Sequence, residues 1–112
     1  MHDKEATLQA TIDAPQLNKY FHSESLSNRI PLRIVKGQWY EDGIRLTKFR
    51  QPVVFISAES ASGPFIEIMS LKVQSVTAEI EFRYAVEGIV GQTILKRTND
   101  NWIVESMNIR ER

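Results

Sequence analysis

Apolar and polar residues alternate over a long stretch in the last third of the chain. Apolar side chains occupy every second position from Val76 to Val86, and threonine, glutamate and arginine fill most of the positions between them. A period of two is typical of a β-strand with one face on a core and the other in water. Together with the segments that follow, the pattern predicts three consecutive antiparallel strands between Val76 and Arg110.

Two predicted turns set a register for these strands. A turn at Glu87-Gly88 pairs Ile80 with Leu95, and a turn at Asn99-Asp100 pairs Leu95 with Val104. Two further rows are then expected on the same face: Phe82, Thr93 and Ser106, and Ala78, Arg97 and Trp102. In the last row the guanidinium is expected to lie on the indole. On the opposite face Glu79 is expected to face Lys96, and a register slip or a bulge near Gly88 and Gly91 is the expected departure from this register.

The N-terminal segment alternates more briefly. Apolar and polar residues alternate from Ala6 to Ile12, which predicts a strand, although Leu8 and Ile12 also fit one face of a helix. Asp13 followed by Gln16 forms a capping-box pattern, and Pro15 suits a first helical turn. A short helix from Ala14 to about His22 is therefore expected.

The middle of the chain predicts short strands and turns. The predicted elements are an apolar run at 32–35, a hairpin over 38–49 around Asp42-Gly43, an apolar segment at 53–56 after an edge or break at Pro52, a solvated loop over 57–64 and a strand over 65–73.

Together, the predicted elements of the whole chain indicate one α+β domain spanning 1–112, a mainly antiparallel meander with one short N-terminal helix. A small sandwich or partly closed barrel is the alternative.

The composition narrows the function classes. Fourteen Lys and Arg balance fourteen Asp and Glu, whereas a non-specific nucleic-acid binder usually carries a basic excess, so no nucleic-acid partner is expected. The absence of cysteine excludes disulfides, thiol catalysis and thiolate zinc sites. No membrane span and no signal peptide are predicted. The compartment stays open: cytoplasmic, or exported if Met1 replaces a removed signal peptide.

The C-terminal third resembles the end of nuclear-transport-factor-2-like or cystatin-like domains. The segments that carry this resemblance are Glu81-Phe82-Arg83-Tyr84, Thr93-Ile94-Leu95-Lys96-Arg97 and Asn99-Asp100-Asn101-Trp102-Ile103-Val104. The resemblance implies a terminal meander whose last strand begins with an aromatic residue. It implies a fold rather than an activity, because such folds host enzymes, binding modules and assembly domains alike.

Few residues carry a chemical signature. His22 is the only histidine away from the terminus, and it lacks a metal-binding spacing, so its expected role is that of a cation at a helix end. The run Ser60-Ala61-Ser62-Gly63 lacks the leading glycine of a serine nucleophile turn. We therefore predict no catalytic residue, no metal site and no cofactor.

Two classes of function follow. The leading hypothesis is a small non-enzymatic interaction domain that binds a protein partner or a second copy of the chain. The binding residues are expected to be Trp39 and Tyr40 near a hairpin tip. An inhibitor-like or immunity-like protein is one form of this hypothesis. The alternative is a small-molecule-binding or isomerase/dehydratase-type domain. Its pocket on the concave sheet face would use His22, Phe82, Tyr84 and Thr93. The predicted outward orientation of Glu79, Glu81 and Glu87 argues against that alternative.

Overall fold

The computed structural model describes residues 3–21 and 30–111 as an α+β fold. Two helices, α1 (Asp3–Ile12) and α2 (Pro15–Asn18), precede the strands. The strands are β1 (Arg33–Val35), β2 (Thr47–Lys48), β3 (Gln51–Pro52), β4 (Val54–Ile56), β5 (Ile66–Val73), β6 (Thr77–Tyr84), β7 (Ile89–Thr98) and β8 (Asn101–Glu111). Short 3₁₀ turns lie at Ala58–Ser60 and Ala85–Glu87.

Six strands form the main sheet in the order β4-β1-β5-β6-β7-β8, and β2 and β3 form a separate ladder. The predicted α+β class is confirmed, and β5 to β8 form the antiparallel meander. The sheet as a whole is mixed, because β1 runs parallel to both β4 and β5. The sheet is therefore mainly antiparallel, as predicted, and departs from the predicted meander at this edge.

The segment predicted as an N-terminal strand is the helix α1. Its buried residues are Thr7, Leu8, Thr11 and Ile12, which share one helical face. The Thr7 hydroxyl donates to the Asp3 carbonyl at 2.8 Å, and the Thr11 hydroxyl donates to the Thr7 carbonyl at 2.9 Å. These bonds satisfy the hydroxyls inside the protein, so threonine can occupy the buried face. The strand prediction was wrong because a short alternation left this helical stripe equally possible.

The helix α2 is shorter than predicted. Its N-cap residue is Ala14, and no side chain caps it, so the predicted capping box at Asp13 does not form. Pro15 occupies the first turn as expected. The Asp13 carboxylate instead accepts a hydrogen bond from Gln9 Nε2 at 2.9 Å. The predicted end of the helix at His22 lies outside the described residues.

The predicted hairpin over 38–49 is absent, and a hairpin forms one segment later. Gly43 turns the chain with φ 98°, but residues 38–46 form no strand. The strands β2 and β3 pair around Phe49 and Arg50, whose φ angles of 57° and 62° are those of a tight turn. Pro52 lies in this small ladder outside the main sheet, and the edge strand β4 follows it, as predicted.

The β7–β8 hairpin confirms part of the predicted register. Leu95 pairs with Val104 and Arg97 pairs with Trp102, and the guanidinium carbon of Arg97 lies 5.6 Å from the indole centroid. The register shifts between Ile94 and Leu95, so Thr93 pairs with Met107 and not with Ser106. The bulge therefore lies nearer the middle of β7 than predicted.

The β6–β7 register differs from the prediction by two residues. Ile80 pairs with Thr93, Phe82 with Gly91, Ala78 with Leu95, Glu79 with Ile94, and Thr77 with Lys96. The difference arises because Ala85–Glu87 forms a 3₁₀ turn that ends at Gly88 with φ 67°, which leaves Val86 exposed and outside the strand. A shift of two preserves the face of every side chain, so the predicted inner face of β6 is still correct.

The core lies between the helices and one face of the main sheet. Its largest fully buried side chains include Tyr84, Phe21 and Phe82. The rings of Phe21 and Tyr84 meet edge to face at 5.5 Å between centroids, which joins the segment after α2 to the middle of the sheet. The helix α1 packs across β8, β6 and β5 on this same face. The opposite face of β5 to β8 is therefore part of the protein surface.

Candidate functional site

The face of β5 to β8 opposite the helices is accessible to solvent within residues 3–21 and 30–111. We call this surface the open face. The pairing of the strands arranges its side chains in four rows: Glu67, Arg83, Val90 and Arg110; Ser70, Glu81, Gln92 and Asn108; Lys72, Glu79, Ile94 and Ser106; and Thr77, Lys96 and Ile103. Met69 joins the second row, because the β5–β6 register shifts between Ile68 and Ser70. The sequence correctly predicted that Glu79 and Glu81 belong to this face.

An open depression of about 740 Å³ lies on this face. Its lining comprises Met69, Glu81, Val90, Gln92, Asn108 and Arg110, with Phe82, Gly91 and Ile109 from the intervening strand positions. Met69 is 53% exposed at the depression, and Ile103 is 52% exposed further along the same face. Apolar side chains are therefore exposed to solvent among charged ones, and such a mixture suits a contact with another protein.

The charged groups of the open face pair along and across the strands. The Arg83 guanidinium donates to the Glu67 carboxylate, and both side chains are about one third exposed. The side-chain amide of Gln92 donates to the Glu79 carboxylate. Arg83 Nε is buried and has no hydrogen-bond partner among the described residues. One N–H donor of this arginine is therefore unsatisfied in the described part of the chain, although its Nη2 atom forms the ion pair with Glu67.

The aromatic pair singled out in the sequence lies elsewhere, beside the edge strand β4. Trp39 is only 8% exposed and belongs to the core, and Tyr40 is half-buried. Their ring centroids lie 5.8 Å apart, and Tyr40 also contacts the ring of Phe55 at 5.1 Å. The ammonium of Lys36 lies 5.1 Å from the Tyr40 centroid. The exposed hairpin tip that motivated this hypothesis is absent, and Tyr40 is the more accessible of the two aromatics.

The residues of the predicted pocket converge on the inner face of the sheet. Phe82, Tyr84 and Thr93 are all fully or almost fully buried, and His22 lies outside the described residues. Thr93 pairs with Ile80 and Met107, and its hydroxyl has no hydrogen-bond partner in the described part of the chain. The aromatic residues serve the core here, while the Thr93 hydroxyl is a polar group that the core leaves unsatisfied.

A partly buried lysine, Lys48, lies at a position that no sequence pattern singles out. The Lys48 side chain is 10% exposed, and its ammonium lies 5.3 Å from the Phe21 centroid and 5.7 Å from the Phe49 centroid. Lys48 Nζ donates to the Asn18 side chain and lies 3.6 Å from an Asp13 carboxylate oxygen. Burial lowers the pKa of Lys48, and Asp13 opposes that change. Only the fold shows this site, because α2 and the β2–β3 turn are distant in sequence.

No group of three or more His, Asp or Glu side chains among residues 3–21 and 30–111 is arranged to hold a metal ion. In that part of the chain no helix has the length and apolar character needed to cross a bilayer.

Comparison of the chain with protein-family models, with characterised proteins and with solved structures gives no match. The resemblance to nuclear-transport-factor-2-like or cystatin-like domains therefore stays a prediction.

Proposed function

We propose that this protein is a small non-enzymatic interaction domain that binds a protein partner through the open face. One observation carries the proposal: Met69 is exposed at a depression whose lining also holds Val90 and charges of both signs. A solvated sheet face is common in antiparallel proteins, but such a face is normally polar. Methionine on an accessible surface adapts to the shape of a partner.

Binding is favoured over catalysis by the geometry of the charged groups. The depression is open to solvent, so a substrate bound there would stay in contact with water. Glu67 is engaged by Arg83, and Glu79 is engaged by Gln92. An inhibitor-like or immunity-like role is one form that such binding would take.

The methionines allow a direct test by oxidation. Met69 lies on the open face, whereas Met107 is half-buried on the inner side of β8 and serves as the internal control. The rate at which peroxide oxidises each is measured by mass spectrometry, for the dilute purified protein and for the protein in an extract of its source. We expect peroxide to oxidise Met69 more slowly, relative to Met107, in the extract than in the purified protein. Equal Met69 rates relative to Met107 in both samples, together with no slowing of Met69 oxidation in the purified protein at high concentration, would refute the proposal.

A second candidate rests on Thr93. Its buried hydroxyl has no hydrogen-bond partner among residues 3–21 and 30–111. It lies on the inner face with Phe82, where the small-molecule-binding or isomerase/dehydratase-type alternative requires a polar contact. Native mass spectrometry of protein isolated gently from its source tests this candidate. A bound small mass that is lost in Thr93→Val would support it, and protein of the bare chain mass would count against it.

A further inference from the structure

We infer that the partner on the open face is a second copy of this chain, related by a two-fold axis that crosses the strands along the row Ser70, Glu81, Gln92 and Asn108. This inference rests on the proposed function and names the partner of the same surface. In such a symmetric contact each residue meets the residue that lies equally far on the other side of the axis. The open face can therefore be tested for self-complementarity strand by strand.

The charges on β6 and β5 are complementary about this row. On β6, Arg83 and Glu79 lie on opposite sides of Glu81, so the axis places Arg83 of one copy over Glu79 of the other. On β5, Glu67 and Lys72 flank Ser70 in the same way. Each of the two strands therefore contributes an arrangement in which opposite charges meet, and each contact occurs twice.

The apolar residues on β7 obey the same symmetry. Val90 and Ile94 flank Gln92, so the axis places valine over isoleucine near the middle of the contact. A two-fold axis along the strands between β6 and β7 gives a poorer match. It would place Arg83 over Val90 and Glu79 over Ile94, which sets charges on apolar side chains. The axis across the strands is therefore the one that the surface favours.

The size of the face indicates a weak dimer. Four strands about 4.8 Å apart and about eight residues long at about 3.3 Å per residue present on the order of 500 Å² per copy, at or below the low end for stable interfaces. Glu81 also lies on the axis, where it meets its own copy. Like charges oppose association, so Glu81→Gln is expected to tighten the dimer.

Charge reversal on β6 provides the test. In Arg83→Glu alone, glutamates meet across the axis, and in Glu79→Arg alone, arginines meet there. A mixture of the two variants forms a heterodimer in which both contacts again join opposite charges. We expect sedimentation velocity over a micromolar concentration series to show weaker self-association of each variant, by about tenfold or more, and association restored in the mixture.

A second pair of variants guards against misfolding of the first, because Arg83→Glu also places two carboxylates side by side within one chain. Val90→Lys and Ile94→Glu break no ion pair. Each alone sets a charge on an apolar residue, whereas the mixture joins lysine to glutamate at one contact and isoleucine to valine at the other. Arg45→Glu makes the same charge change as Arg83→Glu beside α1, away from the open face, and is expected to dimerise like the wild type.

The outcomes separate this inference from the proposed function. The proposed axis would be refuted if, for both pairs, each single variant dimerises weakly and the mixture of the two variants shows no restored association. A wild type that remains monomeric at every concentration, although Met69 is protected in the extract, would overturn the second copy and leave the proposed function standing. A monomer whose Met69 is equally reactive in both samples would overturn both. Circular dichroism of each variant is the check that the variant is folded.

Discussion

The ring of Phe82 on β6 lies directly against the backbone of Gly91 on β7. A Cβ atom added at Gly91 would lie 2.3 Å from Phe82 Cζ, closer than any real Cβ contact. Glycine in the middle of a strand normally weakens it, because glycine has no side chain to pack. Here the ring of the cross-strand neighbour occupies the space that a side chain would take, so the two residues form one packing unit.

Gly91→Ala is therefore expected to lower the free energy of unfolding by roughly 1–3 kcal/mol, as overpacking does. Phe82→Leu in the same chain removes the ring and relieves the clash. We expect the double variant to lose less stability than the two single changes predict together, in a double-mutant cycle followed by urea denaturation. Gln92→Ala, at the next position of β7, is the control. Additive losses would show that the ring and the glycine are not coupled.

The buried hydroxyl of Thr93 leads to a gain of stability. It has no hydrogen-bond partner among the described residues, so removing it should recover roughly 1–2 kcal/mol of desolvation cost. Thr93→Val keeps the shape of the side chain and is expected to raise the melting temperature. Thr93→Ala leaves a cavity and is expected to lower it. A destabilised Thr93→Val would show that the hydroxyl makes a bond in solution, which would favour the pocket on the inner face.

Local turn chemistry explains which parts of the fold could be predicted from the sequence. The β7–β8 hairpin was predicted correctly near its turn, because Asn99 and Asp100 tolerate the φ angles of 51° and 67° that they adopt. The predicted β6–β7 register is wrong because Ala85–Glu87 form a 3₁₀ turn, although these residues continue the alternating pattern of a strand. The parallel pairing of β1 with β4 and β5 joins distant segments, and no local pattern encodes it.

The candidate site was predicted only in part for similar reasons. Alternation correctly placed Glu79 and Glu81 away from the core. The position of Met69 depends on the register shift between Ile68 and Ser70, which is a property of the paired strands and not of β5 alone. Trp39 was expected near a hairpin tip, but the missing hairpin leaves it in the core.

The two aromatics should therefore respond differently to truncation. Trp39 is 8% exposed, so Trp39→Ala is expected to lower the free energy of unfolding by about 3 kcal/mol or more. Tyr40→Ala removes a half-buried ring and should leave the fold intact, as judged by near-ultraviolet circular dichroism and thermal melting. Only Tyr40→Ala can then test the aromatic cluster as a binding surface, by comparing partner capture with the wild type. Equal losses of stability in both variants would contradict this distinction.

The lowered pKa of Lys48 should give the protein a distinct pH dependence. Burial holds this pKa below its ordinary value of 10.5, and the nearby Asp13 carboxylate opposes the shift without cancelling it. Between the lowered pKa and 10.5 the unfolded chain binds more protons than the folded one, so the contribution of Lys48 to stability rises with pH across that window. Below the window, the folded state keeps the full cost of the buried charge.

Lys48→Met isolates this effect, because it keeps an unbranched side chain between Phe21 and Phe49 and has no proton to lose. The measurement is urea denaturation of both proteins over a pH series from neutral to alkaline. We expect the stability of the wild type relative to Lys48→Met to increase with pH, since the other titrating groups cancel in the comparison. A relative stability that is flat or that falls with rising pH would show that Asp13 and Asn18 favour the charged ammonium at least as strongly as burial disfavours it.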